Sequence, residues 1–107
     1  MNTNGQFCVI LTAVANQTEA EKLSALLVER RLAACVQIVN IDSTYRWNGK
    51  VTSEPEFLLL IKTTSLRYKE VQAAILENHS YEVPEIIQVP ITQGSERYLG
   101  WIGENTK

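Results

Sequence analysis

Tyr45-Arg46-Trp47-Asn48-Gly49-Lys50 is the stretch that decides the fold. Asn48-Gly49 supplies two residues that tolerate positive φ, as a type I′ turn requires, and from Val36 to Trp47 β-branched or aromatic residues alternate with polar ones. A β-hairpin is therefore predicted here. Its return arm runs from Lys50 through Phe57-Leu58-Leu59-Leu60-Ile61 to Thr63, with Pro55 inside it. Proline has no ladder donor, which predicts a bulge or bend at that point. Trp47 and Lys50 flank the turn and are expected opposite each other on one face, within reach of a cation-π contact.

Upstream of the hairpin, Gln6 to Val14 is apolar without alternation, as in a central strand covered on both faces. Thr18 and Glu21 form a capping-box pattern, so a helix is expected from there, with Ala20, Leu23, Leu26 and Leu27 inward and Arg30 and Arg31 in its last turn. Downstream, Ser65 is expected to cap a second helix whose inner face is Tyr68, Val71, Ala74 and Ile75 and which ends near His79. Pro84 keeps Val83 extended, and Glu85 to Ile91 alternates as a fourth strand. Ser95 then opens a short tail helix carrying Tyr98, Leu99, Trp101 and Ile102.

The order β-α-β-β-α-β is the split βαβ of an α+β, ferredoxin-like sandwich, a single domain over residues 1–107. Right-handed crossovers put strand three between strands one and two, giving an antiparallel sheet of order 4-1-3-2. Cys8 and Cys35 then lie two strand spacings apart, roughly 9 to 10 Å, too far for a disulfide. The hairpin arms, each on the order of 13 residues or about 43 Å, outrun a domain whose expected radius of gyration is about 13 Å. Tyr45 and Trp47 project on one face of that ribbon, and association of copies in a closed symmetric ring is the economical way to cover them.

Composition removes some classes of function. With 45% hydrophobic and 21% charged residues the chain is an ordinary globular protein, and a net charge of -2 offers no field for a nucleic-acid partner. The apolar run Phe7 to Ala15 has no Lys or Arg before Lys22 and is too short to span a bilayer. It is read as a strand, with no membrane partner and a cytoplasmic location expected. The basic pattern of RNA-binding versions of this fold is missing from strand three.

Several segments, in order, closely resemble the CutA family of divalent-ion tolerance proteins. They are Arg31-Leu32-Ala33-Ala34-Cys35-Val36, the Tyr45 to Lys50 turn, Leu60-Ile61-Lys62-Thr63, Asn78-His79-Ser80-Tyr81-Glu82-Val83-Pro84-Glu85-Ile86-Ile87, Pro90-Ile91 and Tyr98-Leu99-Gly100-Trp101. The resemblance covers Phe7 to Ile102 and implies a ferredoxin-like homotrimer, similar in architecture to PII signalling proteins, with a role in tolerance of copper or other divalent metals. Some bacterial members of the family carry a cysteine where this chain has Thr12 and a His-His pair where it has Asn78-His79.

The candidate site residues follow from the same segments. His79 is the candidate metal ligand, for copper or another divalent cation, and the competing role is a structural histidine at a helix end. Trp47, Lys62, Tyr81, Glu82 and Glu85 are the candidate lining of a small-ligand pocket between subunits, with Glu82 and Glu85 as hard oxygen ligands or ion-pair partners of Lys62. No catalytic pair with contrasting environments is evident, so no enzyme activity is expected. Two functions stay open: weak binding of a divalent metal, or a PII-like signalling or scaffold module that takes a small ligand or protein partner in its clefts.

Overall fold

The computed structural model describes residues 2–107, with side chains from Gly5 onward. Strands β1 (Asn2–Val14), β2 (Cys35–Trp47), β3 (Lys50–Thr64) and β4 (Ile87–Gln93) form one antiparallel sheet. Helices α1 (Gln17–Glu29), α2 (Tyr68–Asn78) and α3 (Glu96–Glu104) complete the chain. The sheet order is β2-β3-β1-β4, the expected 4-1-3-2 read from its other edge. Asn48 and Gly49 both have positive φ, 49° and 77°, as the predicted turn requires.

The alternation of β1 sorts the core. Its even residues Cys8, Ile10 and Val14, with Leu59 and Ile61 of β3, are buried against Ala20, Leu23 and Leu27 of α1 and Val71, Ala74 and Ile75 of α2. On the opposite face Phe7 packs with Leu99 and Ile102 of α3, Ala34 and Ile91. Beyond α3 that second face stays open. Register places Leu11, Leu58, Val39, Val89 and Ile87 together on it, and the last three are 43%, 43% and 50% exposed.

Three local expectations are corrected. The first helix is capped by Asn16, whose side-chain oxygen accepts from the Glu19 amide at 2.8 Å, instead of by Thr18. Arg31 lies beyond α1 at φ 58°, and its guanidinium donates to the carbonyls of Glu104 (2.6 Å) and Lys107 (3.1 Å), joining this corner to the end of α3. Ser65 opens a single 3-10 turn (Ser65–Arg67) ahead of α2, and its hydroxyl is bonded to the Gly5 carbonyl.

Pro55 produces no bulge, because the β2–β3 register runs unbroken from Cys35↔Lys62 to Trp47↔Lys50. The closing pair of a two-residue hairpin is hydrogen-bonded, so alternation makes Asp42↔Pro55 a non-hydrogen-bonded pair. The proline nitrogen thus faces away from β2, on a stretch of β3 that β1, pairing only from Phe57 onward, does not reach. No ladder bond is lost. The same long ladder makes the molecule 44 Å in its longest dimension, against 25 and 22 Å in the others.

Thr12 sits in the middle of β1, fully buried, with a hydroxyl that has no hydrogen-bond partner among the described residues. An orphaned buried hydroxyl forfeits its hydration, so Thr12→Val is expected to raise stability by about 1 kcal/mol. Urea denaturation of the two proteins checks it: a midpoint that falls in the variant contradicts this account of Thr12.

Candidate functional site

The turn that follows α2 is built around His79, whose side chain is fully buried. Its Nε2 lies 2.8 Å from the Ala13 carbonyl at the end of β1, and its Nδ1 lies 3.1 Å from the backbone nitrogen of Tyr81. A carbonyl only accepts and an amide only donates, so the ring is the neutral tautomer with its proton on Nε2. Glu19 approaches Nδ1 at 3.8 Å. That carboxylate is not an ion-pair partner, because its oxygens accept instead from the backbone nitrogen (2.9 Å) and hydroxyl (3.1 Å) of Ser80. Glu19 therefore ties α1 to the turn. The Asn16 cap explains why Glu19 is available there: it places Glu19, rather than Glu21, in the first turn of α1.

From this anchor the chain delivers Tyr81. Its ring lies 4.8 Å from that of His79, and its hydroxyl donates to Oε2 of Glu56 at 2.8 Å. Burial first, and then that accepted proton, push the Tyr81 phenol well above its ordinary value of 10.0. Glu56 itself is only 8% exposed. It lies on β3 opposite Ile41, on the same open sheet face as Ser43, Tyr45 and Trp47.

The hairpin face and the turn enclose a cleft of about 700 Å3. Trp47, Tyr45, Glu54 and Glu56 line it from the hairpin, and Tyr81, Glu82, Val83 and Glu85 from the turn. Four of the five residues expected in a pocket thus share one cleft. Lys62 does not join them. It lies opposite Val9 and Cys35, toward the other end of β3, and its Nζ stands 5.3 Å from the ring centre of Tyr98 on α3. Among the described residues this is the cation over an aromatic ring, and Lys50 and Trp47 form no such pair. Glu82 and Glu85 accordingly have no ion pair with Lys62.

The residues missed from sequence are Glu56, Glu54 and Tyr45. Register was the available signal: once the turn is fixed at Asn48-Gly49, counting back pairs Tyr45 with Thr52 and Ser43 with Glu54, on the face that carries Trp47. What register does not disclose is that the turn after α2 folds over that face.

A model of the CutA1 divalent ion tolerance family matches residues 8–105. The chain belongs to that family. A relative named divalent-cation tolerance protein CutA, from Thermus thermophilus, is 43% identical over 99 residues, 92% of this chain and 96% of that one. The chloroplastic CutA of Arabidopsis thaliana is 43% identical over 100 residues, but the match spans 55% of its length. Among solved structures, CutA from Synechococcus elongatus superposes with a TM-score of 0.95 at 32% identity, covering 100% of this chain and 95% of that one. The periplasmic divalent cation tolerance protein CutA from Archaeoglobus fulgidus gives 0.93 at 36%, covering 94% and 99%.

The family's name raises a divalent metal, and the fit can be tested on these side chains. A tight copper site needs several convergent nitrogen or sulfur donors. His79 has no lone pair to give, since Nδ1 already accepts a hydrogen bond and Nε2 carries its proton. Burial pushes the Cys8 thiol up, away from the thiolate that binds metal. Among the described residues no three His, Cys, Asp or Glu side chains converge. A copper centre does not fit within one chain, and the expectation of His79 as a ligand loses its geometric basis.

Removing the Tyr81 hydroxyl leaves a buried carboxylate short of its donor, so Tyr81→Phe is expected to cost about 2 kcal/mol near neutral pH. Because the folded-state value is raised, this phenol's contribution is complete below about pH 10 and is lost as pH rises from there through the folded value. Wild type should therefore lose stability more steeply than Tyr81→Phe above pH 10. Parallel denaturation slopes for the two proteins in that range would rule this out.

Proposed function

We propose that the chain is a non-enzymatic homotrimeric module of divalent-cation tolerance whose responsive site is the cleft between hairpin and turn, lying at the boundary between subunits and completed by a neighbouring copy. On this reading divalent metal binds only weakly, through carboxylates at the cleft, and not through His79. The observation that carries it is the cleft itself: about 700 Å3, with aromatic rings and carboxylates on both walls and the two walls joined by the Tyr81–Glu56 hydrogen bond. Such a lining suits recognition of a small ligand. The bonds that occupy both nitrogens of the one histidine support binding over acid-base catalysis.

The trimer is supported by the open sheet face. Val39, Val89 and Ile87 are substantially exposed there, and Tyr45 and Trp47 extend the same face along the projecting hairpin. A patch of this kind on a lone chain invites association, and a closed ring of copies is the orderly form of it. The location is proposed as cytoplasmic on the sequence reading. No helix among the described residues is long and apolar enough to cross a membrane, while relatives bear chloroplastic and periplasmic names. A PII-like role, in which the cleft reports a metabolite or engages a protein, shares this site and treats metal as incidental.

Calorimetric titration of copper(II) and zinc(II) into wild type and His79→Ala separates these roles. Binding weaker than micromolar and the same in both proteins is expected, alongside a loss of about 2 kcal/mol in the variant's stability from its severed hydrogen bonds. Micromolar binding, about -8 kcal/mol, that disappears in His79→Ala overturns the reading. Light scattering on the same wild-type preparation should report three copies of the 12.1 kDa chain, and a single copy would remove the assembly.

A further inference from the structure

Strand register sorts the charges on the open face of the sheet. That face receives Lys50, Glu54, Glu56 and Lys62 from β3, and no charged residue from β2, from β1 between Phe7 and Ala13 or from β4 between Ile87 and Ile91. Lys50 stands at the turn, while Glu56 and Lys62 lie within the sheet. Neither of these two has an ion pair among the described residues. Glu56 is 8% exposed and takes a hydrogen bond from the Tyr81 hydroxyl, which supplies no charge. Lys62 is half-buried, and its Nζ stands 5.3 Å from the centre of the Tyr98 ring, which is no counter-ion. Nor can the two neutralise each other within a chain, because six positions along one face of one strand separate them by about 20 Å.

Assembly makes both charges costly unless they meet. Copies that cover Val39, Val89 and Ile87 also exclude water from the charges on the same face, and a charge buried without an opposite partner is strongly unfavourable. In a ring of three, each copy meets its two neighbours through different patches. The face has two such ends, with Glu54 and Glu56 toward the hairpin and Lys62 beside α3. Turning the acidic end of one copy onto the basic end of the next brings each unpaired charge to its opposite. Contact between two acidic ends would set carboxylate against carboxylate.

We propose that Lys62 of the neighbouring copy enters the cleft and forms an ion pair with Glu56, so that each cleft is built from two chains. This rests on the homotrimer reading and names the residue that completes the cleft. The lining from its own chain holds Glu54, Glu56, Glu82 and Glu85 and no basic residue, and the neighbour's ammonium is the cation it lacks. The same pair decides which end of one face meets which end of the next, as complementary charges do across an interface. A ligand of the cleft therefore meets carboxylates of one chain and the Lys62 ammonium of another, and the site exists only in the assembled protein.

The test is subunit exchange between nitrogen-15-labelled and unlabelled full-length protein, followed by native mass spectrometry at a temperature where wild type exchanges measurably. Glu56→Gln keeps an acceptor for the Tyr81 hydroxyl, and Lys62→Met keeps an apolar stem against Tyr98. Each should speed exchange by about tenfold or more, because breaking a buried charge pair acts on dissociation. The double variant should exchange no faster than the faster single one, since neither charge is then left without its partner. Lys62→Arg retains the charge and should stay close to wild type, which keeps the test available if Glu56→Gln does not fold. Lys50→Met, at the turn, should leave exchange unchanged. A double variant whose acceleration is the product of the two singles, Lys62→Arg as fast as Lys62→Met, or acceleration by Lys50→Met in place of Lys62→Met overturns the pairing while the trimer stands. Wild type that runs as a single copy removes the trimer and the pairing together.

Discussion

The imidazole of His79 has one proton and one lone pair, and the fold uses both. The proton reaches back to the end of β1, at the Ala13 carbonyl, and the lone pair receives the amide two residues onward. With Glu19 holding Ser80 from the side, α1, β1 and the end of α2 meet at one point. This meeting point sets where the chain can go next. It carries Tyr81 over the hairpin face and onto Glu56, and the cleft exists because of that crossing. A histidine chosen for this work is a poor metal ligand for a physical reason: coordination would require breaking a buried hydrogen bond at one nitrogen or the other.

The hairpin supplies the other wall, and its length has two consequences. A register unbroken over thirteen residue pairs keeps Ser43, Tyr45, Trp47, Glu54 and Glu56 on one face, so aromatic and acidic side chains are presented as a single surface. The same length carries the tip past the core. Pro55 fits this arrangement because its missing donor falls at a position where no partner strand awaits it, and it leaves the outer edge of β3 there without that donor, a common way of blunting an edge.

The sheet order, the turn at Asn48-Gly49 and the face of each helix were legible because period-2 and period-3.6 patterns report directly which side of an element is buried. The helix caps were less so. Asn16 with Glu19 and Thr18 with Glu21 are overlapping cap patterns of similar local merit, and the choice is made by Ser80, sixty-one residues along the chain from Glu19. Lys62 was misplaced for a related reason. It resembles a site residue by its neighbours in sequence, but strand register puts it toward the other end of β3 from Glu56, on the same sheet face, beside Tyr98. Glu56 was invisible, since a glutamate after Pro55 reads as solvent-exposed until a tyrosine from another part of the chain covers it. Departures from local pattern therefore concentrate where distant segments meet, and that is where the site lies.

The central claim is that His79 is a structural bridge, and nitrogen-15 NMR of its imidazole tests it most directly because the chain has a single histidine. The prediction is a neutral ring at pH 7 with the proton on Nε2 and Nδ1 accepting a hydrogen bond, unchanged when zinc(II) is added. A doubly protonated ring, the opposite tautomer, or a zinc-dependent shift at either nitrogen would contradict it.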